Sequence, residues 1–344
     1  MSARAVILGP AGPTLSADER AFFRDADPWG FIVFKRNVET RAQLAALTAG
    51  LRDAVGRDAP VFVDQEGGRV QRLGPPEWHA RPPASTFAAL YAHDPDAAAE
   101  AVRLTFRLIA HDLREVGIDA DCAPVLDTPQ PGSDPIIGDR AYGTTAGAIA
   151  RLGRACLTGL AQGGVAGVIK HLPGHGRADA DSHLALPCVT CAADDLDAVD
   201  LAPFKALADA PMAMTAHVVY PAWDADRPAT QSPRVISTII RGAIGFDGLL
   251  MTDDLSMKAL GGSYEDRASK ALAAGCDMIL HCNSEREEMK AVVSAAPRLE
   301  GLSLARAVRA EVARRTPDLI DPAALQVQLD ALLKSAGTGA GEGA

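Results

Sequence analysis

The chain has 344 residues, of which 48% are hydrophobic and 23% are charged, and its formal net charge is −10. This composition is typical of a folded globular protein and excludes an intrinsically disordered chain. Because general nucleic-acid binding requires a basic stripe, no nucleic-acid partner is expected for this acidic protein.

The ends of the chain and its cysteines indicate the compartment. The N-terminus MSARAVILGP shows neither the apolar segment nor the cleavage pattern of a signal peptide. No uninterrupted apolar run reaches the roughly 18 residues of a membrane span, so no membrane partner is expected. The six scattered cysteines favour the reducing cytoplasm over a disulfide-rich secreted domain. Cys188 and Cys191 form a C-x-x-C pair, but no second pair completes a zinc site.

Short apolar segments alternate with longer amphipathic ones. Eight segments are predicted to be strands, at residues 5–8, 30–34, 60–64, 119–127, 167–171, 212–217, 248–254 and 277–282. Amphipathic helices are predicted between most of them, for example at 40–55, 96–117 and 146–162. Continuous apolar strands followed by helices indicate a parallel sheet covered on both faces. Eight such units predict an α/β fold of the (β/α)8 TIM-like barrel type. A doubly wound open sheet is the alternative, although no G-x-G-x-x-G follows the first strand.

The C-terminal part is predicted to pack outside the barrel. Residues 303–315 and 322–335 have the pattern of amphipathic helices. We therefore expect one catalytic domain over residues 1–335. The Gly/Ala-rich residues 336–344 are expected to form a flexible tail.

Ionisable residues follow most of the later predicted strands. They are Asp64, Glu66, Arg69 and Arg72 after the third strand, Asp127, Asp139 and Arg140 after the fourth, Lys170 and His171 at the fifth, His217 at the sixth, Asp253 and Asp254 at the seventh, and His281 at the eighth. A single such residue is more often a capping or hydrogen-bonding group. Since the C-terminal strand ends of a (β/α)8 barrel meet on one face, their convergence predicts a functional site there.

The segment KHLPGHGRADADSH (170–183) has several interpretations. His171 and His175 could be metal ligands one helical turn apart, with His183 as a third ligand. The proline and glycines between them disfavour a helix, which weakens that reading. A polar loop with local hydrogen bonds is the simplest alternative. In an extended loop Asp181 and His183 point the same way, so Asp181 could fix one imidazole nitrogen and leave the other free for proton transfer.

Five motifs together resemble one enzyme family. They are DQEGGRVQRL (64–73), IIGDRAYG (136–143), KHLPGHGRADADSHLALP (170–187), MTAHVVYPAWD (214–224) and GFDGLLMTDDLSM (245–257). In this order they resemble the bacterial β-N-acetylglucosaminidases of glycoside hydrolase family 3, the cytoplasmic single-domain enzymes of peptidoglycan recycling. The resemblance covers roughly residues 5–285.

The resemblance implies a role for each matching residue. Asp253 is the expected nucleophile, and His183 is the expected general acid/base on a mobile loop, paired with Asp181. The residues expected to bind the N-acetylglucosamine ring are Asp64, Arg72, Arg140, Lys170 and His171. The implied substrates are muropeptides in which N-acetylglucosamine is joined to 1,6-anhydro-N-acetylmuramic acid. No metal ion or other cofactor is implied, and a monomer is expected.

The residues fit the chemistry of a retaining glycosidase, which needs a carboxylate nucleophile and an acid for the leaving oxygen. Histidine titrates near neutrality, so His183 could donate a proton first and accept one later. A neutral base adds no negative charge, so phosphate is predicted to compete with water in the second step. Asp254 points away from Asp253 if the strand persists, which favours a structural role for Asp254.

Three competing hypotheses remain. The first is a metal-dependent barrel hydrolase that uses His171, His175, His183 and Asp253, which a chelator would inactivate. The second is a non-catalytic sugar-binding barrel, which would lack either the acid or the nucleophile. The third is a β-glucosidase of the same family, whose two-domain members take a Glu acid/base from a second domain for which this chain has no room.

Overall fold

The computed structural model describes residues 2–314 and 316–338, and it contains a closed barrel of eight parallel strands. The strands are β1 (Arg4–Leu8), β2 (Pro28–Val33), β3 (Val61–Val63), β4 (Ala120–Asp121), β5 (Ala166–Leu172), β6 (Met212–Thr215), β7 (Leu249–Asp254) and β8 (Met278–His281). Their order around the barrel is their order in the chain, and β8 closes on β1, with Ile279 opposite Val6. Each predicted segment contains a strand, although the fourth is two residues long where 119–127 was predicted, and the predicted (β/α)8 barrel is confirmed.

Helices cover the outside of the barrel. They are Ala17–Ala26, Arg41–Val55, Ala84–Tyr91, Pro95–Glu115, Ala146–Gln162, Leu201–Ala206, Tyr264–Ala274, Arg286–Ala295, Gly301–Val312 and Pro322–Thr338. The segment Ala193–Asp195 forms one helical turn, and the backbone is π-helical over Leu196–Asp200 and Val235–Ala243. The three inter-strand helices predicted from amphipathic pattern lie within two residues of their observed bounds.

Local sequence signals set several helix ends. Ser16 and Thr40 cap two helices by accepting hydrogen bonds from backbone amides in the first turn. Asp94 does the same for the helix Pro95–Glu115, which has proline at its first position. Gly56 ends the helix Arg41–Val55 with a φ of 65°, a conformation that glycine adopts without a Cβ clash.

The hydrophobic core has two layers. Apolar side chains from the strands fill the barrel interior, including Phe62, Val168, Met212, Met251 and Met278. A larger layer lies between the outer face of the strands and the surrounding helices. A filled interior means that substrate chemistry belongs at the end of the barrel and not in a pore.

The C-terminal helices pack outside the barrel, as predicted. Trp29 donates to Glu311 at 2.7 Å, and Arg81 donates to Gln326 at 2.7 Å, so both helices are tied to the barrel domain. The last helix continues to Thr338, three residues into the predicted tail, and residues 339–344 lie outside the described part of the chain. Among the described residues, no helix is both long enough and apolar enough to cross a membrane.

Candidate active site

A pocket of about 210 Å³ opens at the C-terminal ends of the strands. Its floor is formed by apolar side chains at the strand ends, including Ile32, Met214 and Leu280. Seven of the eight site residues predicted from sequence line it: Asp64, Arg72, Arg140, Lys170, His171, His183 and Asp253. The eighth, Asp181, contacts His183. The fold therefore brings together all the residues predicted for this site.

One side of the pocket holds alternating charges, which we call the charge network: Asp64, Glu66, Arg72, Arg140 and Lys170. Lys170 Nζ lies 3.0 Å from Asp64 Oδ1 and 2.6 Å from Glu66 Oε1. Arg72 donates to the other oxygen of Asp64 at 3.0 Å. Arg140 binds Glu66 with two parallel hydrogen bonds of 2.8 Å each, the bidentate geometry that best fixes a guanidinium.

The charge network stays ionised at neutral pH. Burial by itself would raise the pKa of Asp64, but Lys170 and Arg72 outweigh burial and hold that pKa below its usual range. Burial likewise opposes ionisation of Glu66, yet Arg140 and Lys170 lower its pKa to about 2. Burial would lower the pKa of Lys170, but the two carboxylates raise it. The pocket thus presents fixed cationic donors and a fixed carboxylate to a ligand.

Glu66 was not among the predicted site residues, although it was recognised as an ionisable residue that follows the third predicted strand. Glu66 lies in a short antiparallel hairpin, Gln65–Gly67 with Val70–Gln71, which follows β3 directly. Gly67 has a φ of 90°, and a Cβ there would lie 2.4 Å from the carbonyl oxygen of Pro82. A glycine is therefore required for the turn that points Glu66 inward and returns the chain to Arg72.

Asp127 was also noted only as a polar residue at a strand end. It is fully buried and accepts His171 Nδ1 at 2.6 Å, the His171 amide at 3.2 Å and the His175 amide at 2.7 Å. Burial would raise the pKa of Asp127, but His171 outweighs burial and lowers it to about 2. Asp127 therefore fixes both the ring and the backbone of His171.

The 172–186 loop carries the second Asp–His pair. His183 Nδ1 lies 2.7 Å from Asp181 Oδ1, as predicted. The predicted reason was wrong, because the segment is not extended there. Asp181 Oδ1 also accepts the His183 amide at 2.9 Å, and the Asp181 carbonyl accepts the Leu184 amide, so a turn makes the pair. The His183 side chain is 61% exposed, at the mouth of the pocket.

The two neighbouring aspartates of β7 differ in their partners. Asp254 accepts the amides of Ser256 and Cys282, each at 3.0 Å, and the Ser256 hydroxyl. Asp253 accepts one amide, that of Asp254, at 2.8 Å. Burial would raise the pKa of Asp253, but the positive charges of His171 and His217 outweigh burial and lower it. Both aspartates line the pocket, contrary to the expectation that Asp254 points away, but Asp253 is the carboxylate with fewer hydrogen-bond partners.

Two histidines at the strand ends lie below the pocket surface. His217 is fully buried, with Thr230 Oγ1 at 2.7 Å and the Asp254 carbonyl at 3.0 Å. His281 is also fully buried, and burial lowers its pKa to about 4. Neither side chain lines the pocket, and His217 favours the ionised form of Asp253 from beside it.

The arrangement does not resemble a metal centre. Within residues 2–314 and 316–338, no group of three or more His, Cys, Asp or Glu side chains is placed to hold a metal ion. Of the three suggested ligands, His171 Nδ1 lies 2.6 Å from Asp127 Oδ2, and His175 Nε2 lies 3.2 Å from Ser182 Oγ. Paired carboxylate and imidazole groups suit proton transfer and nucleophilic attack at this site.

Comparison with known proteins gives consistent results. The family described as "Glycosyl hydrolase family 3 N terminal domain" matches residues 12–315. A beta-hexosaminidase of Bordetella avium (strain 197N) is 41% identical over 282 residues, covering 81% of this chain and 80% of the relative. A beta-hexosaminidase of Methylococcus capsulatus is 43% identical over 278 residues, covering 79% of this chain and 81% of the relative. The crystal structure of native NagZ from Neisseria gonorrhoeae superposes with a TM-score of 0.84 at 32% identity and covers 98% of each chain.

Proposed function

The chain belongs to glycosyl hydrolase family 3 and is a β-N-acetylhexosaminidase, and we propose that it removes non-reducing terminal β-linked N-acetylglucosamine through a covalent intermediate on Asp253. One observation carries this proposal. An ionised carboxylate, Asp253, and the Asp181–His183 pair line or flank the pocket that the charge network also lines. These are the two chemical groups that a retaining mechanism requires, placed beside donors and an acceptor for a sugar ring.

In the first step His183 is the general acid. Because Nδ1 is bound to Asp181, the nitrogen that delivers the proton is Nε2. Asp253 attacks the anomeric carbon as the bond to the leaving oxygen breaks, and that oxygen takes the proton from Nε2. The product is a glycosyl ester on Asp253 and a free leaving alcohol.

In the second step His183 is the general base. Neutral Nε2 removes a proton from water, whose oxygen attacks the anomeric carbon and releases the Asp253 carboxylate. Two inversions return the β configuration. The exposed position of His183 suits this double task, since the ring meets both the departing alcohol and the entering water.

The charge network is proposed to hold the sugar ring. Asp64 uses each oxygen for one cation and keeps lone pairs for two hydroxyl donors. Arg72, Arg140 and Lys170 donate to sugar oxygens, and His171 completes the set. The charge network lines a pocket of about 210 Å³, a size that suits one terminal sugar. That size supports exo cleavage.

We infer the natural substrates and the location from the same resemblance. The substrates proposed are muropeptides in which the terminal N-acetylglucosamine is joined to 1,6-anhydro-N-acetylmuramic acid, released during cell-wall recycling. All six cysteines are free thiols, which supports a reducing, cytoplasmic location. A monomer is proposed on the same resemblance.

The first experiment is release of 4-nitrophenol from its β-N-acetylglucosaminide in excess EDTA. We expect undiminished activity; loss in EDTA with recovery on adding zinc would favour the metal-dependent alternative. Asp253→Ala should reduce kcat by roughly 10³-fold or more, since the nucleophile is lost. His183→Ala should lower kcat more for a poor leaving alcohol than for nitrophenolate, which departs without a proton.

Exposed His93, outside the pocket, offers the matched control, and His93→Ala should keep full activity. In His183→Ala, added azide should restore turnover by attacking the glycosyl ester and should yield the β-glycosyl azide. An α-configured product, or no rescue, would contradict the proposed roles of Asp253 and His183.

A further inference from the structure

Asp127 is a buried carboxylate that forms one Asp–His pair with His171 and also binds the loop that carries the other pair. It follows β4, has no exposed surface and does not line the pocket. Its two oxygens accept three donors, which are His171 Nδ1 and the amides of His171 and His175. A buried carboxylate with three donors on one neighbouring segment is expected to fix that segment firmly.

The ring of His171 is oriented by this contact. Nδ1 is held 2.6 Å from Asp127, so Nε2 is the nitrogen left to face the pocket. Both His171 and Asp253 line that pocket. Burial works against ionisation of Asp253, and the positive charge of His171 is the strongest influence in the opposite direction. A change in the proton position or orientation of His171 would therefore be felt by Asp253.

The second contact of Asp127 leads toward the acid/base pair. Its Oδ1 accepts the His175 amide at 2.7 Å, and the His175 ring reaches Ser182 Oγ at 3.2 Å, next to His183. Beside it, Gly176 packs so closely on Thr128 that a Cβ would lie 2.2 Å from the Thr128 carbonyl oxygen. The start of the 172–186 loop is thus fixed to the chain around Asp127.

We propose that Asp127 is a positioning residue for catalysis: it holds His171 with Nδ1 toward itself and Nε2 toward Asp253, and it anchors the base of the 172–186 loop. The inference rests on the proposed function, because it takes Asp253 as the nucleophile. Asp127 acts through His171 and does not touch the substrate.

The other charges around Asp253 are accounted for. His217 from β6 and His183 from the 172–186 loop also favour its ionised form, as does the amide of Asp254. His217 is bound to the Asp254 carbonyl and is independent of Asp127, and His183 has its own carboxylate in Asp181. Removal of the Asp127 charge therefore acts on Asp253 through His171 and through His175, whose ring interacts with both carboxylates.

The test is Asp127→Asn, which keeps the shape and removes the charge. We expect kcat to fall about 10- to 100-fold, the range for loss of a partner that orients a functional histidine. The acid limb of kcat/KM should move to higher pH by about one unit, because Asp253 loses part of its counter-charge and protonates more easily. Nitrogen-15 NMR of the His171 imidazole should show that Nδ1 is no longer the protonated nitrogen in the neutral ring.

Asp119→Asn is the matched control. Asp119 is a buried carboxylate at the other end of the barrel, bound to Arg52, Arg314 and the Val61 amide. The Asp119→Asn variant should lose stability, but the acid limb of its kcat/KM profile and its His171 NMR signals should match those of the wild type. Asp127→Glu keeps the charge and should keep the acid limb near its wild-type position. Equal losses in Asp127→Asn and Asp119→Asn, with an unmoved limb in both, would mean that Asp127 is merely structural.

Failure of this inference can be separated from failure of the proposed function. Mass spectrometry of His183→Ala with the nitrophenyl substrate locates the glycosyl ester. If the ester is absent from Asp253, the proposed function has failed, and this inference with it. If the ester is on Asp253 and Asp127→Asn retains wild-type kcat and pH dependence, only the positioning role is overturned. Should Asp127→Asn not fold, an unchanged His171 Nε2 resonance in Asp253→Asn would overturn it instead.

Discussion

Glu66→Gln tests whether Glu66 holds Arg140 and Lys170, two cationic side chains proposed to bind the substrate, in place. Glu66 accepts two hydrogen bonds from Arg140 and lies 2.6 Å from Lys170, and its side chain is 7% exposed. Its pKa falls from 4.5 to about 2, so ionised Glu66 contributes about 3 kcal/mol to folding at neutral pH. That agrees with the roughly 3–5 kcal/mol cost of removing one partner from a buried ion pair. At about 2 cal/mol/K of unfolding entropy per residue, the expected loss in Tm is about 4 °C.

The assay compares Tm and steady-state kinetics of both proteins across pH. Because the folded-state pKa of Glu66 is lowered, its contribution is complete above the unfolded value of 4.5 and is lost as pH falls toward 2. The difference in Tm should therefore be largest above pH 5 and shrink below pH 4. KM should rise about tenfold or more, since Arg140 and Lys170 lose the group that aims them. Equal Tm and equal KM at neutral pH would refute this account of the network.

Two further predictions concern the 172–186 loop and the second chemical step. Arg177 on the loop binds buried Asp200 at 2.7 Å, yet burial raises the pKa of Asp200 to about 6. The folded state thus retains a proton that the unfolded chain releases, so stability should fall by about 3 kcal/mol as pH rises from 4 to 6, and thermal unfolding of Asp200→Asn should lack this slope. Phosphate should compete with water for the glycosyl ester on Asp253, because a neutral His183 does not repel the phosphate anion. Mass spectrometry should then detect the sugar 1-phosphate. If no sugar 1-phosphate forms at phosphate concentrations far above that of the enzyme, this prediction is wrong.

The fold was predictable because the sequences of the barrel strands are mostly continuous apolar runs. A segment such as MAMT (Met212–Thr215) is buried on both faces, as a continuous apolar run predicts. The site followed from the fold, since parallel strand ends meet on one face. Lys170 and Asp253 could thus be placed together although 83 positions separate them in the sequence.

The parts that sequence did not predict depend on pairing in three dimensions. Glu66 and Asp127 were visible as polar residues at strand ends, but nothing local shows that one holds Arg140 and the other holds His171. The Asp181–His183 pair was predicted from an extended loop and is made by a turn, because the side chain of Asp181 accepts the backbone amide two residues on. The pairing of Asp181 with His183 was predicted correctly from their spacing, but the predicted extended backbone was wrong.

The site contains two Asp–His pairs with nearly equal geometry and very different exposure. The contacts from Nδ1 to carboxylate are 2.6 Å for His171 and 2.7 Å for His183, but the His171 side chain is 9% exposed and that of His183 is 61% exposed. A buried ring with a buried partner is shielded from solvent and is suited to keep one orientation beside the proposed nucleophile. An exposed ring on a loop suits the proposed role of His183, which must meet both the leaving alcohol and water and exchange a proton with each. The same local chemistry therefore supports two different tasks, and what separates them is the position of each pair relative to solvent.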